Sequence, residues 1–320
     1  MSQRQVLSHL VEHQKIADHD IDQALHTSKV YPSAHAWPAF INQLMLWFGS
    51  LAVVCGVIFF IAANWQDMGR VVKFVFLQSL IVISVIAYLR LEKKTLFSQV
   101  ALTSAFILLG ALMAYFGQTY QTGADPWQLF FNWALLGLPW VIIACFTPLW
   151  LLFLVLLNLS LSLYHDALGA LLPFGIGREN SLFWSLWLLN NSSLLVWELR
   201  RHVHPWLNQT WFGRTLAVAT VFNASALAMM AIFSFNTSSF GGLLWIALMA
   251  FAFWFYWKRR PDLFMLALCC LSTIVVVVAW FAHLLENALD VYSLLFLLTI
   301  GLTTAATMWL KKLMKEFSHA

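Results

Sequence analysis

After residue 42 the chain is dominated by long apolar stretches, separated by short polar or charged intervals. The stretches are 43–62, 71–89, 99–117, 128–146, 148–165, 181–198, 215–234, 240–257, 262–283 and 290–310. Each approaches the roughly 20 apolar residues that a helix needs to cross bilayer hydrocarbon. They predict an all-α fold, a polytopic transmembrane helical bundle of about ten spans. Only Thr147 and Pro148 separate the fourth stretch from the fifth. One helix over both would far exceed the bilayer thickness, so a tight hairpin is expected there.

Residues 1–42 differ in kind. Arg4, Glu12, Lys15, Asp18, Asp20, Asp22 and Lys29 punctuate them with no signal-peptide core between, so the amino terminus is expected to stay uncleaved. Val6, Leu7, Leu10 and Val11 form a helical stripe and Ile16 begins a break. Asp18 or Asp20 is placed to cap a second short helix through Ile21, Ala24 and Leu25. A short cytoplasmic N-terminal helical pair is the expectation, too small to bury a core of its own. Pro32 and Pro38 then form a stiff link, with Trp37 as an interfacial anchor. A DNA-binding helix-turn-helix would need a basic second helix, and here acidic residues and histidines occupy it, so no nucleic acid partner is expected. The organisation is a cap and linker over 1–42, five spans over 43–165, five over 181–310 and a cytoplasmic tail over 311–320.

Composition changes the picture only by excluding a soluble fold: 61% of residues are apolar, 10% are charged and the mean hydropathy is +0.77. The net charge of +4 is explained by topology. With the amino terminus in the cytoplasm, ten crossings leave only Arg70, Lys73 and Arg178 of the 18 Lys and Arg residues on the outer side. Both termini are therefore expected in the cytoplasm, with the body in the cytoplasmic (inner) membrane. Dropping one span would throw the later basic clusters to the wrong side. Cys55, Cys145, Cys269 and Cys270 all lie in apolar runs without metal-ligand spacing, and read as small membrane-buried side chains.

No Asp, Glu, Lys or Arg falls in the middle of a stretch, which argues against a proton or ion relay. The interior polar groups are amides and hydroxyls, among them Gln78, Asn132, Asn158, Asn190, Asn191 and Asn223, read first as interhelical hydrogen-bonding groups. Gly49, Gly110 with Ala114, and Gly301 with Ala305 are read as sites of close helix approach. The densest polar chemistry falls outside the first four spans. Asn64, Trp65, Asp67, Arg70 and Lys73 mark one turn, and Gln118, Thr119, Tyr120, Asp125 and Trp127 the next external loop. Arg70 and Lys73 sit at a helix amino terminus, where the dipole disfavours positive charge. Either Asp67 and Asp125 clamp them, or an anion such as a lipid headgroup or a small ligand compensates them. His165 with Asp166, and His283 three residues before Glu286, supply too few ligands for a metal site. No cofactor motif and no catalytic residue is nominated.

The chain resembles a family of predicted bacterial membrane proteins defined by a domain of unknown function, DUF2157. The resemblance rests on the charged two-helix start and on Ala63-Asn64-Trp65 followed by Arg70. It rests also on Phe116-Gly117-Gln118-Thr119-Tyr120-Gln121 leading through Gly123, Asp125 and Phe130 to Trp133 and Pro139. It covers roughly residues 5 to 150, and the chain lacks the GDY-type carboxy-terminal motif of some neighbouring members. What it implies is a bacterial inner-membrane location, without an activity or substrate. It adds Trp133 to an external polar cluster of Asn64, Trp65, Asp67, Arg70, Lys73, Gln118, Tyr120 and Asp125.

Two functional classes stay open. A carrier or lipid- or small-solute-handling protein would use the ten-helix body, whose two five-helix halves would have opposite orientation, although no convincing sequence repeat is evident between 43–165 and 181–310. Its partners would be membrane lipids and a small neutral or anionic ligand. A sensory, scaffold or assembly protein would instead use residues 1–30 to bind a cytoplasmic protein. A membrane enzyme is a third class, for which an external Asp and His are too common to nominate chemistry.

Overall fold

The computed structural model describes residues 7, 10–11, 13, 15–28, 36–63, 69–92, 95–121, 123–168, 178–233, 240–285 and 291–319. Within them all regular structure is helical. A short helix α1 (Ile21–Thr27) precedes the long ones: α2 (Ala36–Ala63), α3 (Arg70–Arg90), α4 (Leu96–Tyr120), α5 (Pro126–Ala144) and α6 (Thr147–Leu168). They continue with α7 (Arg178–Arg200), α8 (Thr210–Phe233), α9 (Phe240–Trp254), α10 (Leu263–Leu284) and α11 (Val291–His319). Among the described residues nine helices are long and apolar enough to cross a membrane. They are all the long ones except α7, with α9 counted together with the π turn Phe255–Arg259 that extends it.

The exception has a physical reason. Helix α7 carries Asn180, Ser181, Ser185 and Asn190, and buries all four, while Leu188, Leu195, Val196 and Leu199 are exposed, Leu199 by 67%. Its polar side faces protein and its apolar side faces outward, the inverse of a helix on a water-soluble protein. These buried polar residues lower its average apolarity while the large apolar side chains stay outward.

Several sequence expectations shift in detail. Asp18 and Asp20 do not cap a helix from outside; they lie within a 3-10 turn, Asp18–Asp20, that runs directly into α1. Leu7, Leu10 and Val11 are helical, while Val6 lies outside the described residues. Pro38 belongs to the first turn of α2 instead of a linker, where its missing N–H leaves no intrahelical bond unmade. Pro32 lies outside the described residues. The expected tail at 311–320 is largely a continuation of α11, which reaches His319. At 1.5 Å per residue its 29 residues span roughly 43 Å, longer than the ~30 Å hydrocarbon, so the basic end extends past the apolar layer.

The hairpin between the fourth and fifth stretches is present. Helix α5 stops at Ala144, Cys145 takes the left-handed conformation (φ 47°, ψ 45°), and α6 begins at Thr147 with Pro148 in its first turn. Cys145 thus sits in the turn itself, in a conformation that side chains other than glycine rarely adopt.

The chain forms two compact units: residues 1–112 with 318–320, and residues 113–317, the division falling within α4. In the first, the Ser50 and Ser104 hydroxyls meet at 2.8 Å between α2 and α4, Phe60 and Phe76 approach to 6.1 Å between α2 and α3, and Leu77, Ala105 and Phe106 are buried. In the second, contacts fix the helix directions. Thr147 at the start of α6 reaches Trp206 beyond the end of α7, and Asn158 meets Asn190 midway, so α6 and α7 are antiparallel. Ser225 meets Ser272 and Arg214 meets Asp262, so α8 and α10 are parallel, with α9 antiparallel beside them.

The interhelical role expected of the amides holds for one pair. Asn158 and Asn190 exchange side-chain hydrogen bonds at 2.7 and 3.2 Å, whereas Asn223 donates to Ala219 of its own helix. Such a pair stabilises by roughly 0.6–2 kcal/mol. Two of the expected close helix approaches, at Gly49 and Gly301, are not made, and two others are. A Cβ on Gly49 or Gly301 would meet nothing within 4 Å, while one on Gly213 would lie 2.2 Å from the Trp197 ring and one on Gly241 2.7 Å from the Leu227 carbonyl oxygen.

Candidate functional site

Six residues of the expected external cluster, Arg70, Lys73, Gln118, Tyr120, Asp125 and Trp133, lie among the described residues. Asn64, Trp65 and Asp67 lie outside the described residues. Arg70 opens α3 after Gly69, exposed, while Lys73 one turn later is only 4% exposed, so its charge is not presented to the surroundings. Both belong to the first unit. In the second, Gln118 and Tyr120 are exposed at the end of α4, with Tyr120 against Phe116 at 4.7 Å, and Asp125 is exposed just before α5. Trp133 is half-buried on α5 beside Phe130 at 6.4 Å. Trp127, also singled out in that loop, is built into α5 with its ring 4.9 Å from Tyr164 of α6.

The strongest organised chemistry lies elsewhere, at the end of the second unit where α7 and α9 stop and α8 and α10 begin. Its centre is Trp197, 2% exposed, whose indole N–H donates to the Leu207 carbonyl at 2.9 Å. The guanidinium groups of Arg201 and Arg260 lie over its ring at 5.2 and 5.4 Å. Glu198 joins the two arginines: Arg260 donates to one carboxylate oxygen, and Arg201 Nε lies 3.5 Å from the other. A second pair stands beside it. Arg214 Nη2 donates to Asp262 Oδ1 at 3.2 Å, and the same oxygen accepts from the Phe264 and Met265 N–H groups. Asp262 therefore caps α10, where the helix dipole favours a carboxylate, and ties it to α8. The chain reaches Arg260 through the π turn after α9, closed by the Arg260 N–H to the Phe255 carbonyl at 3.0 Å.

Next to this network, α6, α7 and the connection to α8 enclose an open cavity of about 650 Å³. Trp150, Phe153 and Leu157 wall it from α6, and Leu189, Val196 and Trp197 from α7. The connection is pinned twice, by Thr147 Oγ1 donating to the Trp206 carbonyl at 2.7 Å and by Trp197 holding Leu207, with Trp206 stacked on Trp150 at 6.1 Å. Arg200 and His204 lie at the same end of the cavity. The two serines along its wall, Ser192 and Ser193, satisfy their hydroxyls on the Leu189 carbonyl.

Sequence reading treated Arg200, Arg201, Arg214 and Arg260 only as markers of topology. The available signal was Glu198 and Asp262, two carboxylates set directly among basic clusters at span ends.

A body of long apolar helices in two units, nine of them long and apolar enough to cross a membrane among the described residues, defines a polytopic helical membrane protein. Residues 9–150 match the model of a family described as a predicted membrane protein, DUF2157, and over that segment the chain is similar to it. No curated protein and no solved structure matches the chain. The matched segment ends at Trp150, so α7–α10 and the ionic network lie beyond it.

Proposed function

We propose that this protein handles an apolar or amphiphilic molecule within the bilayer, through a ten-crossing body with both termini in the cytoplasm. The observation that carries the reading is the cavity between α6 and α7. Its volume of about 650 Å³ falls within the roughly 300–1,000 Å³ of small-molecule pockets, and its walls are largely aromatic and aliphatic. The mid-span positions carry no Asp, Glu, Lys or Arg, which suits an uncharged or one-ended cargo better than an ion.

The crossing of α7 is supported by its outward apolar side and by its antiparallel packing on α6. Counting it, Arg200, Arg201, Lys258, Arg259, Lys311 and Lys312 share the cytoplasmic side with the amino-terminal helices. The resemblance over residues 9–150 fits a bacterial inner-membrane setting.

Native mass spectrometry of the full chain in mild detergent tests the reading. The chain is expected to retain one lipid-sized adduct, and Leu157→Trp, which obstructs the cavity from the α6 wall, is expected to weaken its retention while the thermal midpoint stays within a few degrees. A chain that retains no adduct, or an obstructed cavity that retains the adduct undiminished, would overturn the proposal.

A further inference from the structure

We infer that the cavity binds one anionic phospholipid of the surrounding bilayer, with an acyl chain between α6 and α7 and its phosphate at Arg200 and His204. The inference rests on the functional reading above and adds the chemical class of the ligand. An acyl chain already in a bilayer gains little by entering apolar protein, because lipid tails are as apolar as leucine. Discrimination must therefore come from the polar end.

That end is defined by what is already committed. Arg201 and Arg260 are held by Glu198, and Arg214 by Asp262, so the neighbouring arginines are engaged. Arg200 is exposed, lines the cavity and makes no ion pair among the described residues. His204 stands beside it, its backbone N–H donating to the Arg200 carbonyl at 3.1 Å and its ring lining the cavity 6.3 Å from that of Trp206. The adjoining arginines are largely neutralised by their carboxylates, so Arg200 is the charge that the mouth of the cavity presents to an anion. With Ser192 and Ser193 satisfied on the backbone, polarity is concentrated at one end of an apolar groove, as it is in a phospholipid. The stacked Trp150 and Trp206 suit the headgroup level, where indoles concentrate.

The test exchanges the purified full chain into mixed micelles containing phosphatidylglycerol or phosphatidylcholine with identical acyl chains, and reads bound lipid by native mass spectrometry. One basic residue near a membrane surface is worth about fivefold in affinity for anionic lipid. The wild-type chain is therefore expected to retain phosphatidylglycerol about fivefold over phosphatidylcholine. Arg200→Gln should bring the two level and Arg200→Lys should keep most of the preference. Equal retention of both lipids by the wild type overturns the headgroup assignment and leaves the functional reading standing. Retention of neither lipid overturns both. A preference that survives Arg200→Gln in monodisperse protein places the anion elsewhere, and stronger retention of a free fatty acid replaces phospholipid as the occupant. Should Arg200→Gln fail to fold, raised salt applied to the wild type must still erase the preference.

Discussion

Replacing Glu198 by alanine is expected to lower stability by roughly 3 kcal/mol or more, because two arginines lose their shared carboxylate at once. The Arg201 side chain is 9% exposed and that of Arg260 20%, so neither guanidinium can be rehydrated in place. Both also lie over the same indole, which leaves two like charges close together once the carboxylate is gone. A pair on an exposed surface would contribute about 0–1 kcal/mol, and burial is what raises the expectation here. Thermal unfolding in detergent measures it. Glu198→Asp, which keeps the charge on a shorter arm, should recover part of the loss. A midpoint unchanged by Glu198→Ala would remove the network from the account of stability.

The second large effect is steric. A methyl group on Gly213 would sit 2.2 Å from Trp197, and that ring could yield only by giving up the contacts that hold it. It is held by its hydrogen bond to Leu207, buried among Leu154, Phe212 and Leu216, and covered by two guanidinium groups. Gly213→Ala should therefore destabilise by roughly 1–3 kcal/mol, the range for overpacking a filled core. Trp197→Phe should be destabilising by itself through loss of the bond to Leu207, yet it should soften the Gly213→Ala defect when the two are combined. The thermal midpoints of both single variants and the double variant read that coupling. Strict additivity would show that the ring and the glycine do not oppose each other.

These two sites also show where sequence reading stops. The helical body was legible because a bilayer leaves backbone polar groups no partner except the helix itself, so length and apolarity alone mark a span. The break at Cys145–Thr147 was legible from Pro148 and from the excess length of the run. The ionic network was not. Glu198 and Arg260 are 62 residues apart, and their meeting depends on which helices become neighbours, information that hydropathy does not carry. The cavity was hidden for a related reason, since Phe153, Leu157 and Val196 read the same whether they face a void, a neighbour or lipid. The role of Gly213 is set by Trp197 on another helix, which its own neighbours in sequence do not show, whereas Gly49 and Gly301 face open space. Of the external cluster, Arg70, Tyr120 and Asp125 stand at helix ends. The sequence carried no sign that Lys73 would be buried.

The account depends on α7 crossing the membrane, because that helix lines the cavity and sets the side on which every later basic cluster emerges. Single cysteines at Asp166 and Val203, both exposed at opposite ends of the α6–α7 pair, test this in a background without Cys55, Cys145, Cys269 and Cys270. Labelling with a membrane-impermeant maleimide in intact cells should modify Asp166→Cys at once and Val203→Cys only after the membrane is permeabilised. Equal labelling of both positions from the same side would place α7 along the membrane surface and contradict the account.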